Sequence, residues 1–153
     1  MEDNIREIID VARSWLGVRF HHQGRDKHAG VDCLGLLIVI ANTCQLTFRN
    51  VLLAAQDETD YGHNPDPDYL RRKLESVLML IDNKDARAGD IALFSIDGRA
   101  QHLALLADYP SAGELSMIHA YASARKVIEH RLDEHWREQM VAIFRMNESV
   151  CTD

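Results

Sequence analysis

The sequence lacks a regular set of cysteines, a long apolar run and an excess of basic residues. Of its 153 residues only three are cysteines, at irregular spacing (Cys33, Cys44 and Cys151), so a disulfide framework is not expected. No apolar run approaches the roughly 20 residues of a membrane span, so we expect no insertion into a membrane. Lysine and arginine total 17 against 24 aspartates and glutamates, for a net charge of −7. Because no basic stripe stands out, a nucleic-acid partner is not expected either.

The first ten residues, MEDNIREIID, are acidic and amphipathic and do not resemble a secretory signal peptide. With the irregular cysteines, they predict synthesis in a reducing cytoplasm, and a role outside it would require separate delivery. A hydrophobic fraction of 46% and a charged fraction of 27% are ordinary for a globular protein. We predict that residues 1–153 form one domain.

Three helices are predicted in the first half of the chain. Apolar residues at helical spacing indicate a helix over residues 5–16, which Gly17 can end. The almost wholly apolar run over residues 33–44 fits a buried strand or a buried helix, and Asp32 at a capping position and the run's length favour the helix. A third helix opens at residues 66–68, and its apolar side carries Leu70, Leu74, Val77, Leu78 and Leu80.

The second half of the chain shows a shorter period. Five short apolar runs separated by turn residues predict five strands, over residues 91–96, 101–107, 115–121, 126–131 and 140–146. Helices followed by strands joined through tight turns indicate an α+β fold with an antiparallel meander. Residues 20–31 lack periodicity and are interpreted as a loop, and the polar residues 53–66 as a candidate flap over a site.

Cys33 begins the apolar run directly after Asp32. A free cysteine in such a run is more often a small buried hydrophobic residue. At a helix start, however, unpaired N–H groups and the helix dipole stabilise an anion, so the position predicts a lowered thiol pKa and a nucleophile. A glycine such as Gly35 makes a helix about 1 kcal/mol less stable than alanine would. Its presence here is explained if another backbone or a substrate approaches the helix closely at this position.

Two histidines in strand-like segments can complete a site with this cysteine. Taken singly, His102 reads as a surface residue beside a turn and His119 as a core histidine. Their separation allows neighbouring antiparallel strands to bring the rings together, one as a base and the other orienting it. A helix-borne cysteine followed by a strand-borne histidine is the layout of papain-like hydrolases.

Sequence blocks in a fixed order carry a resemblance to a known family. GVDCLGLL resembles the Asp-Cys-Ser-Gly signature of the NlpC/P60 cell-wall peptidases, and AGDIALF, QHLALL and IHAY resemble that family's successive strands. WLGVRFHHQGR resembles its approach loop. The sequence of this loop, with His-Gln-Gly-Arg ahead of Asp-Cys-Leu-Gly-Leu, is most similar to the phage and prophage branch found in tail gene clusters. The resemblance covers residues 14–146, nearly the whole chain.

The resemblance implies a papain-like NlpC/P60 fold, with N-terminal helices on a five-stranded antiparallel sheet and the nucleophile at a helix N-terminus. Cys33 matches the nucleophile, His102 the general base and His119 the residue that orients it. Such proteins cleave amide bonds in peptidoglycan stem peptides, often between D-γ-glutamyl and a diamino acid, through a thioester and without a metal or cofactor. The branch implies tail proteins as partners, and local wall opening by a phage tail, in the periplasm or cell wall.

Other residues are assigned to substrate binding, with their alternatives open. Phe20 stands where the family usually has Tyr, and Leu34 where many members have a Ser associated with recognising a free peptide amine. His22 and Gln23 are predicted to line the substrate groove, and Asp32 either binds substrate or caps the helix. These departures leave open an amidase or acyltransferase of the same fold on a non-wall substrate. A tail-assembly protein without turnover is also left open.

The remaining histidines are given minor roles. His21, His22 and His28 precede Cys33 closely, but their spacing fits no standard zinc pattern, so no metal site is predicted. The others are interpreted as surface residues: His63, His130 and His135.

Overall fold

A computed structural model describes residues 3–48, 51–52, 66–110 and 113–146. The described residues form four α-helices: α1 (Asp3–Arg13), α2 (Cys33–Thr43), α3 (Tyr69–Val77) and α4 (Glu134–Gln139). Two short antiparallel pairs join β1 (Arg25–Asp26) to β2 (Gly30–Val31) and β3 (Thr47–Phe48) to β4 (Val51–Leu52). The main sheet contains β5 (Met79–Ile81), β6 (Asp90–Ile96), β7 (Arg99–Asp108), β8 (Leu115–Tyr121), β9 (Lys126–Arg131) and β10 (Met140–Arg145).

The main sheet is antiparallel throughout, in the order β5-β10-β6-β7-β8-β9. The predicted α+β class is therefore confirmed. Strands β6 to β9 form the predicted meander, whereas β10 returns to the far side of β6 and pairs with it. Of the candidate flap over residues 53–66, residues 53–65 lie outside the described residues.

The predicted count of five strands is wrong, because β5 adds a sixth. Leu78 and Leu80 were assigned to the third helix, but α3 ends at Val77 and Leu80 lies in β5 with 52% of its surface exposed. Three residues are too few to show a strand period, and the partner of β5 is the distant β10. Only the tertiary pairing distinguishes this strand from one more helical turn.

The two faces of the sheet are covered by different elements. Helices α1 and α2 contact each other and β7, and beneath them lie the apolar residues of one face: Ile91, Leu93, Leu103, Leu105, Ile118 and Ala120. Helix α4 contacts β6 on the other face, where Trp136 packs among Ala92, Phe94, Ala104, Leu106, Met117 and Ile143. No helix of the described residues has the length and apolar character needed to cross a membrane.

Two ion pairs fix the layers at their ends. The Arg13 guanidinium at the end of α1 donates to both carboxylate oxygens of Glu129, at 3.0 and 2.8 Å, and to the Asp108 carbonyl at 2.8 Å. Asp90, 1% exposed, accepts two bonds from Arg145 at 2.8 and 2.9 Å. The first pair attaches α1 to the strands, and the second joins β6 to β10, which accounts for the aspartate of the AGDIALF block.

The segment predicted as a loop over residues 20–31 contains the β1–β2 pair and packs onto the first turn of α2. Gly35 makes this contact sterically accessible. A Cβ atom there would overlap the Gly24 carbonyl oxygen and approach Arg25 Nη1 to 2.7 Å and Val31 Cγ2 to 2.9 Å. The close backbone approach predicted at Gly35 is confirmed.

We expect the Gly35→Ala variant to lower the free energy of unfolding by about 1–3 kcal/mol, because overpacking outweighs the gain in helix propensity. Urea denaturation of wild type and variant measures this difference. Asn42→Ala, at an exposed position of the same helix, is the control and should leave stability unchanged or slightly raised. A Gly35→Ala protein as stable as wild type would contradict the steric role of the glycine.

Candidate active site

Asp32 organises the start of α2. Its Oδ1 accepts a bond from the Gly35 N–H at 2.7 Å and from Arg25 Nη1 at 3.2 Å, while Oδ2 accepts from the Gln23 N–H at 2.8 Å. The residue is 3% exposed. Of the two roles open for Asp32, helix capping is the one observed, and the same carboxylate attaches the preceding loop to the helix.

Cys33 is the first residue of α2 and is partly buried. Its Sγ lies 3.8 Å from the carbonyl oxygen of Gln101 on β7. The described pairing of β7 with β8 extends only from Asp108 to Leu105 on the β7 side. The thiol therefore lies against the part of β7 that precedes this pairing.

His102 and His119 stand side by side, as their separation along the chain predicts. The Nε2 atom of His102 on β7 lies 2.7 Å from Nδ1 of His119 on β8. Both rings are buried, at 7% and 0% exposure. With Nε2 engaged by His119, Nδ1 is the nitrogen of His102 that is available to a thiol.

His130 extends this pair, so its interpretation as a surface residue is wrong. Its Nε2 lies 2.8 Å from Nε2 of His119, and its Nδ1 lies 2.9 Å from the carbonyl oxygen of Arg131. The register of β8 with β9 places Met117 opposite His130, and alternation along β8 then sets His119 on the same face of the sheet. This register could have been predicted from the sequence by pairing residues outward from the turn between β8 and β9, which places His130 near His119.

The indole of Trp136 covers the three imidazoles. Its ring centroid lies 5.8 Å from that of His102, 5.2 Å from His119 and 5.8 Å from His130. Asp133 caps the short helix α4 by accepting a bond from the Trp136 N–H at 3.0 Å. The histidine rings therefore lie under the apolar cover of α4, and His102 also borders the cavity that Cys33 lines from the start of α2.

A cavity of about 610 Å³ opens beside Cys33 and His102. Three further residues predicted for the site contribute to its wall: Phe20, His22 and Asp32. His119 lies behind His102, hydrogen-bonded to it. Polar groups before and within α3, in β7, and at and after the end of β8 complete the lining, and they include Asp66, Tyr69, Arg99, Gln101, Tyr121 and Ser123.

Gln23 and Leu34 lie outside the described lining of this cavity. Gln23 has a positive φ of 60° and donates its backbone N–H to Asp32. Leu34 packs against the hydrophobic core beneath α2. Both residues thus contribute to the position of the helix start rather than to the cavity wall.

Of the approach-loop histidines, His22 lines the cavity beside Cys33, with its Nδ1 4.0 Å from Asp32 Oδ2, whereas His21 and His28 are not part of the described lining. His21 Nδ1 lies 2.9 Å from the carbonyl oxygen of His22. Among the residues that the structure describes, no three His, Cys, Asp or Glu side chains are grouped as a metal ion would require.

The thiol of Cys33 has a raised pKa rather than the lowered one predicted from its place in the helix. Burial raises the pKa to about 12, with a further contribution from the Asp32 carboxylate, although the N–H groups of Leu103, Leu34 and Cys33 itself act in the opposite direction. Desolvation of the charged form thus outweighs the helix start. The resting cysteine is a neutral thiol.

The histidines are held neutral for the same reason. Burial lowers the pKa of His102 to about 4, and the nearby His130 adds to the effect. Burial likewise lowers the pKa of His119 to about 2, with contributions from His102 and His130. At neutral pH the cavity therefore holds a neutral thiol and, in His102, a neutral imidazole, the form of the ring that can accept a proton.

Comparisons with known proteins point to one family. The family model of NlpC/P60 matches residues 17–145. No curated protein matches this chain in sequence. Solved structures match it by fold, and at identities below 25% they speak for the fold alone.

Three of these structures illustrate the likeness. A protein similar to a lipoprotein of the NLP/P60 family from Staphylococcus aureus has a TM-score of 0.61 and 19% identity, over 95% of this chain and 42% of its own. The peptidoglycan hydrolase RipB from Mycobacterium tuberculosis has a TM-score of 0.57 and 21% identity, over 94% and 64%. RipD from the same organism, described as non-catalytic and adapted to peptidoglycan binding, has a TM-score of 0.54 and 16% identity, over 95% of this chain and 98% of its own. This chain thus spans less than two thirds of the first two.

We expect the alkylation rate of Cys33 to rise about tenfold per pH unit from pH 7 to 9 without levelling, because thiolate is scarce when the pKa is about 12. A Cys44→Ala/Cys151→Ala background leaves Cys33 as the single thiol, and mass spectrometry follows its reaction with iodoacetamide. The same protein unfolded in urea is the control, and its rate should level near the ordinary thiol pKa of about 8.5. If the alkylation rate of the folded protein levels off below pH 8, the raised thiol pKa is contradicted and the lowered pKa predicted from the helix start is correct.

We expect the melting temperature to fall as the pH drops from 6.5 towards 4. The unfolded chain takes up protons on its histidines near pH 6.5, whereas His102 remains neutral in the fold until about pH 4 and His119 until about pH 2. Each therefore contributes stability that is fully present above pH 6.5, with a loss of up to about 1.4 kcal/mol per pH unit below it. Calorimetry across this range measures the effect, and His119→Gln should show a shallower dependence. Equal slopes for the two proteins would contradict a buried neutral His119.

Proposed function

The chain belongs to the NlpC/P60 family, and we propose that it is a cysteine peptidase that hydrolyses amide bonds in peptidoglycan stem peptides. The observation that carries this proposal is the arrangement around Cys33. A thiol at a helix N-terminus shares a cavity with His102, and His102 is hydrogen-bonded to His119. Nucleophile, base and orienting residue are the parts that covalent amide hydrolysis requires.

In the proposed reaction, Cys33 Sγ attacks the amide carbonyl carbon while His102 Nδ1 takes the thiol proton. The backbone N–H of Cys33, at the start of α2, is positioned to donate to the developing oxyanion. His102 then delivers its proton to the leaving amine, and a thioester to Cys33 remains. Water, deprotonated by His102, attacks the thioester and releases the acid and the free thiol.

The cavity wall supports a peptide substrate that carries charges of both signs. Arg99 and His22 supply groups suited to carboxylates, and Asp66 a group suited to an amine. Stem peptides contain both kinds of charge, and the family resemblance directs attention to the bond between D-γ-glutamyl and a diamino acid. We include that bond in the proposal.

The setting in which the enzyme acts is also part of the proposal. His22-Gln23-Gly24-Arg25 ahead of the Asp32-Cys33 pair supports the phage and prophage branch. We therefore propose local wall opening by a phage tail or related device, with tail proteins as partners and the periplasm or cell wall as the place of action. Synthesis in the cytoplasm belongs to the same proposal.

One observation favours a second candidate, a module that binds peptidoglycan without turnover. Burial leaves the Cys33 thiol with a pKa of about 12, which makes it a poor nucleophile unless His102 removes its proton during attack. RipD, described as a non-catalytic protein adapted to peptidoglycan binding, has this fold. Binding without cleavage would therefore indicate this second role.

Defined muropeptides separate the two candidates. We expect wild type to cleave them and Cys33→Ala to be inactive, because no other residue in the described lining of the cavity carries a thiol. Mass spectrometry of the products identifies the bond that is cut.

Cys44→Ala is the matched control, because Cys44 is also a partly buried free cysteine but lies at the far end of α2. This variant should retain wild-type activity. If the folded wild type binds muropeptides but gives no product after prolonged incubation, the peptidase proposal is contradicted and the binding module is favoured.

A further inference from the structure

Three imidazoles and one peptide carbonyl form a continuous hydrogen-bonded chain on the sheet. It runs from His102 through His119 to His130, with nitrogen–nitrogen distances of 2.7 and 2.8 Å, and ends at the Arg131 carbonyl oxygen at 2.9 Å. The proposed mechanism uses the first two histidines. The last link has no part in it.

The carbonyl end of the chain determines the direction of every bond in it. A carbonyl oxygen only accepts, so Nδ1 of His130 carries a proton and donates to Arg131. In the neutral ring Nε2 of His130 is then bare and accepts from the Nε2–H of His119. His119 in turn has a bare Nδ1, which accepts from the Nε2–H of His102. The remaining nitrogen, Nδ1 of His102, is left with its lone pair.

We propose that His130 is a positioning residue that sets the tautomer of His102 through His119, leaving Nδ1 of His102 as the base for the Cys33 thiol. This role rests on the proposed function, since the lone pair matters only if His102 removes a proton. The opposite direction of donation would place a proton on Nδ1 of His102. A ring protonated there cannot accept from the thiol.

The surroundings of the chain support a single direction of donation. Trp136 packs over all three rings, with centroids 5.2 to 5.8 Å away, and His119 is fully buried. Water is therefore kept from His119, and each of its two ring nitrogens depends on a neighbouring imidazole for a partner. Burial also favours the neutral forms of His102 and His119.

The register of β8 and β9 makes the chain a property of the sheet rather than of flexible side chains. His119 pairs with Ile128, and Met117 pairs with His130. The two histidines therefore stand diagonally across neighbouring strands on one face, within reach of each other. His130 also donates to the carbonyl of the very next residue, so its orientation is determined locally.

The proposal is tested by nitrogen NMR of imidazole-labelled protein at a pH at which the three rings are neutral. In wild type we expect protons on Nε2 of His102, Nε2 of His119 and Nδ1 of His130, each as a single tautomer. A proton on Nδ1 of His102 would overturn the proposal. This measurement needs no substrate, so it decides the tautomer even if the protein cleaves nothing.

Substitution of His130 then tests the causal link. In His130→Leu the acceptor for His119 is lost, and we expect mixed tautomers at His119 and His102. The same variant should lose kcat by on the order of tenfold at unchanged KM, as expected for a residue that orients a base. In His130→Gln the amide oxygen can accept from His119, so the single tautomer and most of kcat should return.

His135 provides a matched control, because it lies next to Trp136 in sequence and its ring centroid is 6.0 Å from the indole. It is exposed and contacts Gln139 at 2.9 Å rather than the chain. His135→Gln should leave the tautomers and kcat unchanged. Wild-type tautomers in His130→Leu would overturn the assigned role, and so would a Gln variant as impaired as Leu. If the tautomers are as assigned but no muropeptide is cut, the proposed function is contradicted and the assignment of the tautomers stands.

Discussion

The carboxylate of Asp32 is the contact on which the geometry of the site depends. One oxygen caps α2 through the Gly35 N–H, and the other accepts from Gln23, so helix start and approach loop are joined at one buried group. Arg25 adds a charged partner. Because Cys33 follows directly, the position of the thiol against β7 is determined by this group, and the missing side chain of Gly35 allows the loop to come close enough.

Burial decides the protonation states of the site. The thiol of Cys33 and the imidazoles of His102 and His119 all favour their neutral forms, because each is buried where charge is costly, the thiol against β7 and the two rings beneath Trp136. In the proposed reaction, attack on the amide is therefore coupled to proton transfer and does not start from a preformed thiolate–imidazolium pair. The direction in which the histidines donate then becomes as important as their distance, since only a bare nitrogen can take the proton.

Much of the architecture could be predicted from the pattern of residues. The apolar run after Asp32 is a helix that begins at Cys33, and the runs after residue 88 are strands of an antiparallel sheet. The juxtaposition of His102 with His119 also agrees with the separation of two strands in a meander. These features follow from local periodicity and from turn residues, which act over a few positions of the chain.

Other features escaped prediction because they depend on distant partners. Leu80 belongs to a strand only because β10 pairs with it, and the hairpin of residues 25–31 is held by Asp32 and α2. The thiol pKa was predicted in the wrong direction, since the helix start is visible in the sequence while the burial around Cys33 is not. His130 was misread because charged neighbours in KVIEHR suggest a surface strand.

By itself, the sequence determined which chemical groups are present and which elements carry them: a cysteine at a helix start, two histidines on successive strands, and a glycine where the backbone must approach. Only the tertiary structure decided how those groups are protonated and connected. Desolvation and hydrogen-bond direction depend on what surrounds a group from every side. The neutral thiol, the third histidine and the carbonyl of Arg131 at the end of the chain therefore emerge only when the strands are paired.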